Sequence, residues 1–191
     1  LINQDLTQKE HQDDLHEGLA VISERAQSLN IFIKSYHQLS TLPPPTKSLI
    51  TVATLIHSTT ALYPSVNWHT EGSSTVVLYV DNQQLQQALV NIITNAIEAS
   101  KTPHNENKVV DLTLLWQVTN NNIAIELLDS GVGIANTDNL FVPFYTTKIQ
   151  GSGIGLVLSR QIIMNHDGDM QIENRANQRG AKVTIILPLT K

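Results

Sequence analysis

The chain has 191 residues, of which 41% are hydrophobic and 15% charged, a composition typical of a folded globular protein. Acidic residues outnumber basic ones by 17 to 12, and no Lys/Arg cluster is present, which argues against nucleic-acid binding through a basic surface. The absence of cysteine excludes disulfides and thiolate metal sites.

No secretory leader is visible, and no apolar run approaches the roughly 20 residues that span a bilayer. The sequence begins at Leu1 without an initiator Met. We therefore expect a cytoplasmic segment of a longer protein, and we leave open whether missing upstream sequence anchors the intact protein in the inner membrane.

A long amphipathic helix is predicted for the first 42 residues. Its apolar seam, with steps of four and three, consists of Leu15, Leu19, Ile22, Ala26, Leu29, Ile33 and Tyr36. Consecutive prolines at 43–45 end this helix, because they remove donors and clash with the preceding turn. Two interpretations stay open: the helix packs on its own domain, or it is a dimerisation or stalk element.

The residues after the prolines predict a mixture of helices and strands. Helices are predicted at "SLITVATLIHSTTALY", 81–101 and 155–166, and strands at "VNWHTE", "TVVLYVD", "VVDLTLLWQVT", "NIAIELLD", "GDMQIEN" and "AKVTIILPL". The Asn-rich stretch at 120–122 predicts a hairpin turn. Hairpins without regular βαβ repeats favour an α+β fold, a two-layer sandwich of helices on a mixed, mostly antiparallel sheet.

The helix at 81–101 carries a polar stripe beside its apolar stripe. The polar stripe consists of Gln84, Ala88, Asn91, Asn95 and Glu98. Asparagine disfavours the middle of a helix, so two of them at i and i+4 require a reason. One interpretation is a solvated polar edge; the other is a row of side-chain oxygens suited to Mg²⁺ carried by phosphates.

The stretch "DSGVGI" at 129–134 ends a predicted strand. Asp129 shares its parity with Ile123, Ile125 and Leu127, so it lies at the end of a buried face. A buried carboxylate needs a donor, and an adenine amino group would be suitable, with glycines making room for the base. The alternative is a tight turn in which the aspartate caps nearby amides.

A second glycine cluster, "GSGIGL" at 151–156, precedes a predicted helix. Such a turn presents free N–H groups and the positive end of the helix dipole to an anion. The spacing matches neither a dinucleotide-binding fingerprint nor a Walker A loop. Between the two clusters, Phe141 and Phe144 can anchor a loop from which Thr146, Thr147 and Lys148 reach phosphates.

The segments "NIITNAIEA", "DSGVGI", "LFVPFYTTK" and "GSGIGL" have the order and spacing of the N, G1, F and G2 boxes of sensor histidine kinase ATP-binding domains. The resemblance covers residues 46–190 and extends to the superfamily shared with gyrase, chaperone and mismatch-repair ATPases. It implies an ATP-binding catalytic domain at 46–191. Residues 1–42 resemble the second helix of a dimerisation and phosphotransfer hairpin, and the short spacer after Lys148 resembles the nitrogen-regulation branch.

The resemblance also implies roles for individual residues. Asn95 would bind Mg²⁺ through the ATP phosphates, with Asn91 beside it, Asp129 would read adenine, and Lys148 would lie near the terminal phosphate. The implied nucleotide contacts are Asn91, Asn95, Glu98, Asp129, Gly131, Gly133, Ile134, Thr146, Thr147, Lys148, Gly151, Ser152, Gly153, Ile154, Gly155 and Leu156. The implied partners are ATP or ADP, a response regulator receiver domain, and a second copy paired through the N-terminal helix of the intact protein.

The sequence departs from the family pattern at two places. The phosphoacceptor of this family lies in an H box, a His followed by an acidic residue and then a helix that ends in Pro, and no His in this chain has that pattern. His11 is interpreted as an ordinary exposed histidine. The phosphoacceptor is therefore expected upstream of Leu1. Many relatives carry Gly-Thr where this chain has Gly180 and Ala181, which puts one hydroxyl contact near adenine in doubt.

Two further interpretations are kept beside the kinase. One is a non-catalytic, nucleotide-binding dimeric signalling scaffold. The other is a gyrase-type ATPase clamp, which requires a Glu to activate water at the position of Asn91. Asparagine cannot act as that base, so efficient ATP hydrolysis is not expected.

Overall fold

The computed structural model describes residues 2–101, 109–135, 137–148 and 151–189. In chain order the elements are α1 (Ile2–Ser40), β1 (Ser48–Thr51), α2 (Val52–Thr60), β2 (Val66–Gly72), β3 (Val77–Val80), α3 (Asn82–Ser100), β4 (Val110–Thr119), β5 (Asn122–Leu128), α4 (Gly155–Asn165), β6 (Asp169–Asn174) and β7 (Ala181–Pro188). The chain divides into two compact units, one formed by residues 43–145 and 153–191, the other by residues 1–42 and 146–152.

The larger unit is built on a five-stranded sheet in the order β2-β4-β5-β7-β6. Only β2 and β4 are parallel, and the other neighbours are antiparallel. β1 and β3 form a separate antiparallel pair. The prediction of a mixed, mostly antiparallel sheet is therefore confirmed.

The hairpin between β4 and β5 forms where the sequence predicted it. Asn120 adopts φ +56°, a left-handed conformation that asparagine tolerates better than most residues. Beyond this turn, Trp116 pairs with Ile125, and Leu114 pairs with Leu127. Because these four side chains are buried, the pairing aligns the apolar rows of the two strands on one face of the sheet.

Three helices cover this apolar face. Leu55 of α2, Leu85 and Leu89 of α3, and Ile163 of α4 surround one small gap together with Ile125, Ile185 and Leu187 of the sheet. The opposite face is polar: the Lys182 ammonium lies 2.7 Å from Glu173 and 3.7 Å from Glu126. The Glu173 carboxylate is the main cause that raises the pKa of Lys182 above its ordinary value.

The predicted helix "SLITVATLIHSTTALY" was wrong over its first residues. Ser48–Thr51 form strand β1, in which Ile50 pairs with Leu78. The helix begins only at Val52, because the Thr51 hydroxyl accepts a 3.1 Å hydrogen bond from Thr54 N–H and caps the first turn. The β-branched run Ile50, Thr51 and Val52 favours a strand at this point, and the helix-like apolar spacing outweighed it in the prediction.

The apolar seam of α1 lies at the protein surface. Leu15, Leu19, Ile22, Leu29, Ile33 and Tyr36 are each more than half exposed. α1 ends at Ser40, two residues before the predicted end, and the Thr41 hydroxyl and N–H both donate to the His37 carbonyl. Among the described residues, no helix combines the length and hydropathy required to cross a membrane.

Candidate nucleotide-binding site

Asp129 lies directly after β5 and is only 5% exposed. Its row contains the buried side chains of Ile123, Ile125 and Leu127, so the burial predicted from strand parity is confirmed. A buried carboxylate is costly unless donors satisfy it, and the structure supplies such donors from the backbone.

The Asp129 carboxylate is oriented through one oxygen. Oδ1 accepts hydrogen bonds from the N–H groups of Gly131, at 2.8 Å, and Ala181, at 3.2 Å. The turn in which the aspartate caps nearby amides, the alternative interpretation of "DSG", is thus present. Since both bonds given by described residues end on Oδ1, Oδ2 is the oxygen suited to an outside donor.

Ala181 contributes to this arrangement through its backbone alone. Its N–H donates to Asp129 Oδ1, and its carbonyl accepts a 3.1 Å hydrogen bond from Asp129 N–H. A side-chain hydroxyl is not needed for either bond. The orientation of Asp129 is therefore independent of the Thr-to-Ala departure at this position.

Gly131 in the 129–134 loop is required by the protein's own backbone. A Cβ atom on Gly131 would lie 2.5 Å from the Ala99 carbonyl oxygen at the end of α3. Val132 N–H donates to this same carbonyl at 3.2 Å. The room that we predicted for a base at Gly131 is therefore occupied on the Cβ side by α3.

Two residues for which the sequence predicted no role hold the ends of this loop. Asn174, the last residue of β6, accepts from Ile134 N–H at 2.7 Å and donates to the Ile134 carbonyl at 2.9 Å. Arg175 donates from Nη1 to the Asp129 carbonyl at 2.8 Å. A polar residue at a strand end is ordinary in sequence, so only the tertiary contacts reveal this role.

The polar stripe of α3 faces α4 over its first half. Gln84 and Ala88 are buried, Asn91 and Asn95 are half-buried, and Glu98 is exposed. Asn91 donates from its amide nitrogen to the Gly155 carbonyl at 3.3 Å. The stripe is therefore not simply a solvated edge, and Asn91 keeps an amide oxygen of the kind that Mg²⁺ prefers.

α4 begins at Gly155, within the second glycine cluster. Ile154 is its N-cap and is buried, and no described side chain caps this end of the helix. The N–H groups of Gly155 and Leu156 are therefore in the position that suits an anion. Gly153 closes the preceding loop, since its carbonyl accepts from Phe144 N–H at 3.1 Å.

Phe141, predicted to anchor the loop before α4, lies against that helix. The guanidinium carbon of Arg160 is 4.4 Å from the centre of the Phe141 ring, a cation–π distance. Arg160 belongs to α4. The contact joins Phe141 to the helix that begins at Gly155.

The remaining predicted residues belong to the smaller unit. Thr146, Thr147 and Lys148 are exposed, while Gly151 and Ser152 are half-buried. Lys148 N–H donates to the Thr146 hydroxyl at 3.1 Å, and Gly151 N–H donates to the Lys148 carbonyl at 3.2 Å. The first of these bonds holds the Lys148 backbone close to Thr146.

The N-terminus of α3 is fixed by Asp81 and His166. Partial burial opposes ionisation of Asp81, but the N–H donors of Gln84, Thr46 and Gln83 outweigh it and lower the pKa of this carboxyl. Asp81 N–H in turn donates to Nε2 of the buried His166 at 3.0 Å. His166 thus has a structural role, and the described residues contain no group of three or more His, Cys, Asp or Glu suited to a metal ion.

Comparison with known proteins gives a family match over the site. A model of the family described as histidine kinase-, DNA gyrase B-, and HSP90-like ATPase matches residues 80–191. Sporulation kinase B of Bacillus subtilis (strain 168) is 29% identical over 196 residues, covering 98% of this chain and 44% of that protein. The chain therefore spans less than half the length of this relative.

Solved structures share the fold. The nucleotide-free catalytic domain of histidine kinase ThkA has a TM-score of 0.65 and 27% identity, covering 75% of this chain and 96% of that chain. ThkA in complex with response regulator protein TrrA has a TM-score of 0.70 and 22% identity, covering 89% of this chain and 50% of that chain. The helices packed on a mixed sheet in the larger unit match the fold of the histidine kinase catalytic domain.

Proposed function

Since this chain belongs to the histidine kinase-, DNA gyrase B-, and HSP90-like ATPase family, we propose that residues 46–191 are the ATP-binding catalytic region of a sensor histidine kinase. The single observation that carries this proposal is the buried Asp129 carboxylate, with Oδ1 held by two backbone donors. In this proposal Oδ2 accepts a hydrogen bond from the adenine amino group.

The phosphate end of the nucleotide would lie near α3 and α4. The amide oxygens of Asn91 and Asn95 are hard ligands that fit Mg²⁺ carried by the ATP phosphates, with Asn95 as the direct ligand. Gly151, Gly153 and Gly155 and the open N-terminus of α4 would contact phosphate oxygens. Lys148 would approach the terminal phosphate and neutralise its charge.

The reaction would be transfer of the γ-phosphoryl group to a histidine. The bond between the γ-phosphorus and the bridging oxygen breaks, a phosphorus–nitrogen bond forms, and ADP leaves. These 191 residues contain no H box, so the acceptor would be supplied from upstream sequence. The phosphoryl group would then pass to an Asp on a response regulator receiver domain, and the ThkA–TrrA complex supports a partner of this class.

The exposed seam of α1 supports a role in pairing two protomers. Residues 1–42 would be the second helix of a dimerisation hairpin, with its six large exposed side chains in contact with partner helices. The short spacer between Lys148 and Gly151 supports the nitrogen-regulation branch of the family.

The alternative is a non-catalytic, nucleotide-binding scaffold. Asn95, Asp129, Lys148 and the box glycines are all retained, and a scaffold released from catalysis would not need the complete set. The kinase proposal therefore fits the residues better.

The first experiment is calorimetric titration of the chain with ATP and ADP, with and without Mg²⁺, beside an Asp129→Asn variant. Micromolar binding corresponds to about 8 kcal/mol, and a hydrogen bond to a charged group contributes about 1.5–3 kcal/mol of it. We expect Asp129→Asn to weaken the binding of both nucleotides at least tenfold. An unaffected variant would remove Asp129 as the base reader, and a wild-type chain that binds neither nucleotide would refute the kinase proposal.

A further inference from the structure

We propose that Asn174 is a positioning residue for adenine recognition, acting through the 129–134 loop, which it holds in the binding conformation. This inference rests on the proposed function, because it assigns a role in the same nucleotide site. Asn174 lies outside every glycine and asparagine motif found in the sequence, on the last residue of β6.

The Asn174 side chain binds the loop as a strand partner would. Its Oδ1 accepts from Ile134 N–H at 2.7 Å, and its Nδ2 donates to the Ile134 carbonyl at 2.9 Å. A side-chain amide offers a donor and an acceptor in one plane, so it matches both polar groups of a single peptide residue. An ionised aspartate can only accept and alanine can do neither, so neither residue makes both bonds at this position.

The residues that follow Asn174 hold the opposite end of the same loop. Arg175 donates from Nη1 to the Asp129 carbonyl at 2.8 Å, and its N–H donates to the Gly180 carbonyl at 3.1 Å. Gly180 has φ +112°, and a Cβ atom there would lie 2.0 Å from the Asp129 carbonyl oxygen. The 174–180 turn therefore fixes both Asp129 and Ile134.

This double attachment matters because it adds to two bonds inside a glycine-rich loop, from Gly131 N–H to Asp129 Oδ1 and from Val132 N–H to the Ala99 carbonyl. Ser130, Gly131, Val132 and Gly133 include two glycines, the residue with the greatest backbone entropy. Ordering such a loop when a ligand binds would weaken affinity, whereas a loop that is already ordered avoids this cost. Asn174 would thus strengthen contacts to the base without touching the nucleotide.

The role is separable from stability of the fold. Asn174 is exposed, is the last residue of the edge strand β6, and is not one of the buried aliphatic side chains that form the core. Its replacement should leave the core intact and change only the order of the loop. Loss of positioning then predicts a selective loss of base recognition.

The experiment compares Asn174→Ala and Asn174→Asp with the wild type and with Gln171→Ala, an exposed control on the same strand. Calorimetry measures dissociation constants for ADP, GDP and inorganic tripolyphosphate, and hydrogen exchange of the nucleotide-free chain reports on residues 130–134. Thermal unfolding midpoints are measured for each variant.

We expect Asn174→Ala to raise the dissociation constant for ADP about tenfold and to reduce the preference for ADP over GDP. The dissociation constant for tripolyphosphate should change less than twofold. Exchange of the loop amides should accelerate at least tenfold, and the unfolding midpoint should stay within a few degrees. Asn174→Asp keeps the acceptor for Ile134 N–H but loses the donor, so about threefold weaker ADP binding is expected. Gln171→Ala should match the wild type.

Unchanged ADP affinity and loop exchange in Asn174→Ala would overturn the inference while leaving the proposed function in place. Equal weakening of ADP and tripolyphosphate, in step with a lowered unfolding midpoint, would also overturn it by indicating a general structural role. A wild-type chain that binds no ADP would overturn the proposed function, and this inference with it.

Discussion

In the proposed site, Asp129 would serve the protein through one carboxylate oxygen and a ligand through the other. Oδ1 is committed to the N–H groups of Gly131 and Ala181, which fixes the carboxylate plane. The same two donors remove much of the desolvation cost of burying this group. A fixed carboxylate can discriminate between a base that offers an amino group and a base that offers a carbonyl.

Gly131 provides a second test at the level of single residues. In Gly131→Ala the new methyl group would meet the Ala99 carbonyl oxygen at 2.5 Å, and the end of α3 must move to accept it. We expect a loss of about 1–3 kcal/mol in the free energy of unfolding, the usual cost of overpacking, measured by chemical denaturation.

Gly155→Ala is the matched comparison for stability. Its new methyl group would have Asn91 as its nearest neighbour, at 3.8 Å, and Gly155 is the first residue of α4. We expect unchanged or slightly higher stability, since alanine favours helix more than glycine by up to about 1 kcal/mol. Equal destabilisation of the two variants would contradict the steric argument for Gly131.

Among the elements, α3 connects the two ends of the proposed site. Its N-terminus is capped by Asp81, its middle presents Asn91 and Asn95, and its last turn accepts a hydrogen bond from the 129–134 loop through the Ala99 carbonyl. A shift of this helix would move Asn91, Asn95 and the 129–134 loop together, and with them both ends of the proposed site.

Asp81 predicts how the stability of α3 depends on pH. Because the folded state lowers the pKa of this carboxyl, Asp81 stabilises the protein above the ordinary carboxyl pKa, and this contribution is lost as the pH falls through the folded-state value. Asp81→Ala should cost about 1–2 kcal/mol near pH 7, the usual loss for an N-cap.

Asp81→Asn separates capping from charge in that experiment. Asparagine caps a helix nearly as well as aspartate but does not titrate. The stability advantage of the wild type over Asp81→Asn should therefore be present at pH 6–7 and shrink as the pH is lowered below about 4. A pH-independent difference in denaturation midpoints would count against a role for the Asp81 charge.

At the scale of the whole molecule, the described core belongs to the larger unit. Every buried hydrophobic side chain among the described residues lies between Val52 and Leu187. We expect residues 43–191 to unfold cooperatively with a midpoint within a few degrees of the full chain, measured by calorimetry. A midpoint lowered by more than about ten degrees, or a broad transition, would show that residues 1–42 are needed for the fold.

The sequence by itself determined the local structure of this protein. Period-two rows such as Ile123, Ile125 and Leu127 predicted the buried face of the sheet and the burial of Asp129, and Asn120–Asn122 predicted the hairpin. Periodicity was sufficient in these cases because each row is set by neighbours a few residues apart. The boundary at Thr51 was missed, since a capping hydroxyl looks like any other threonine in the sequence.

Only the tertiary structure decided which distant residues meet the 129–134 loop. Ala99, Asn174 and Ala181 are separated from Asp129 by 30, 45 and 52 positions of the chain, and no local pattern marks them as its neighbours. Their contacts follow from the alignment of β5 with β7 and from the packing of α3 over the sheet. Hydrogen bonds and steric limits between such segments exist only after the chain has folded, which is why the sequence alone showed neither the close approach of Gly131 to Ala99 nor the two bonds of Asn174 to Ile134.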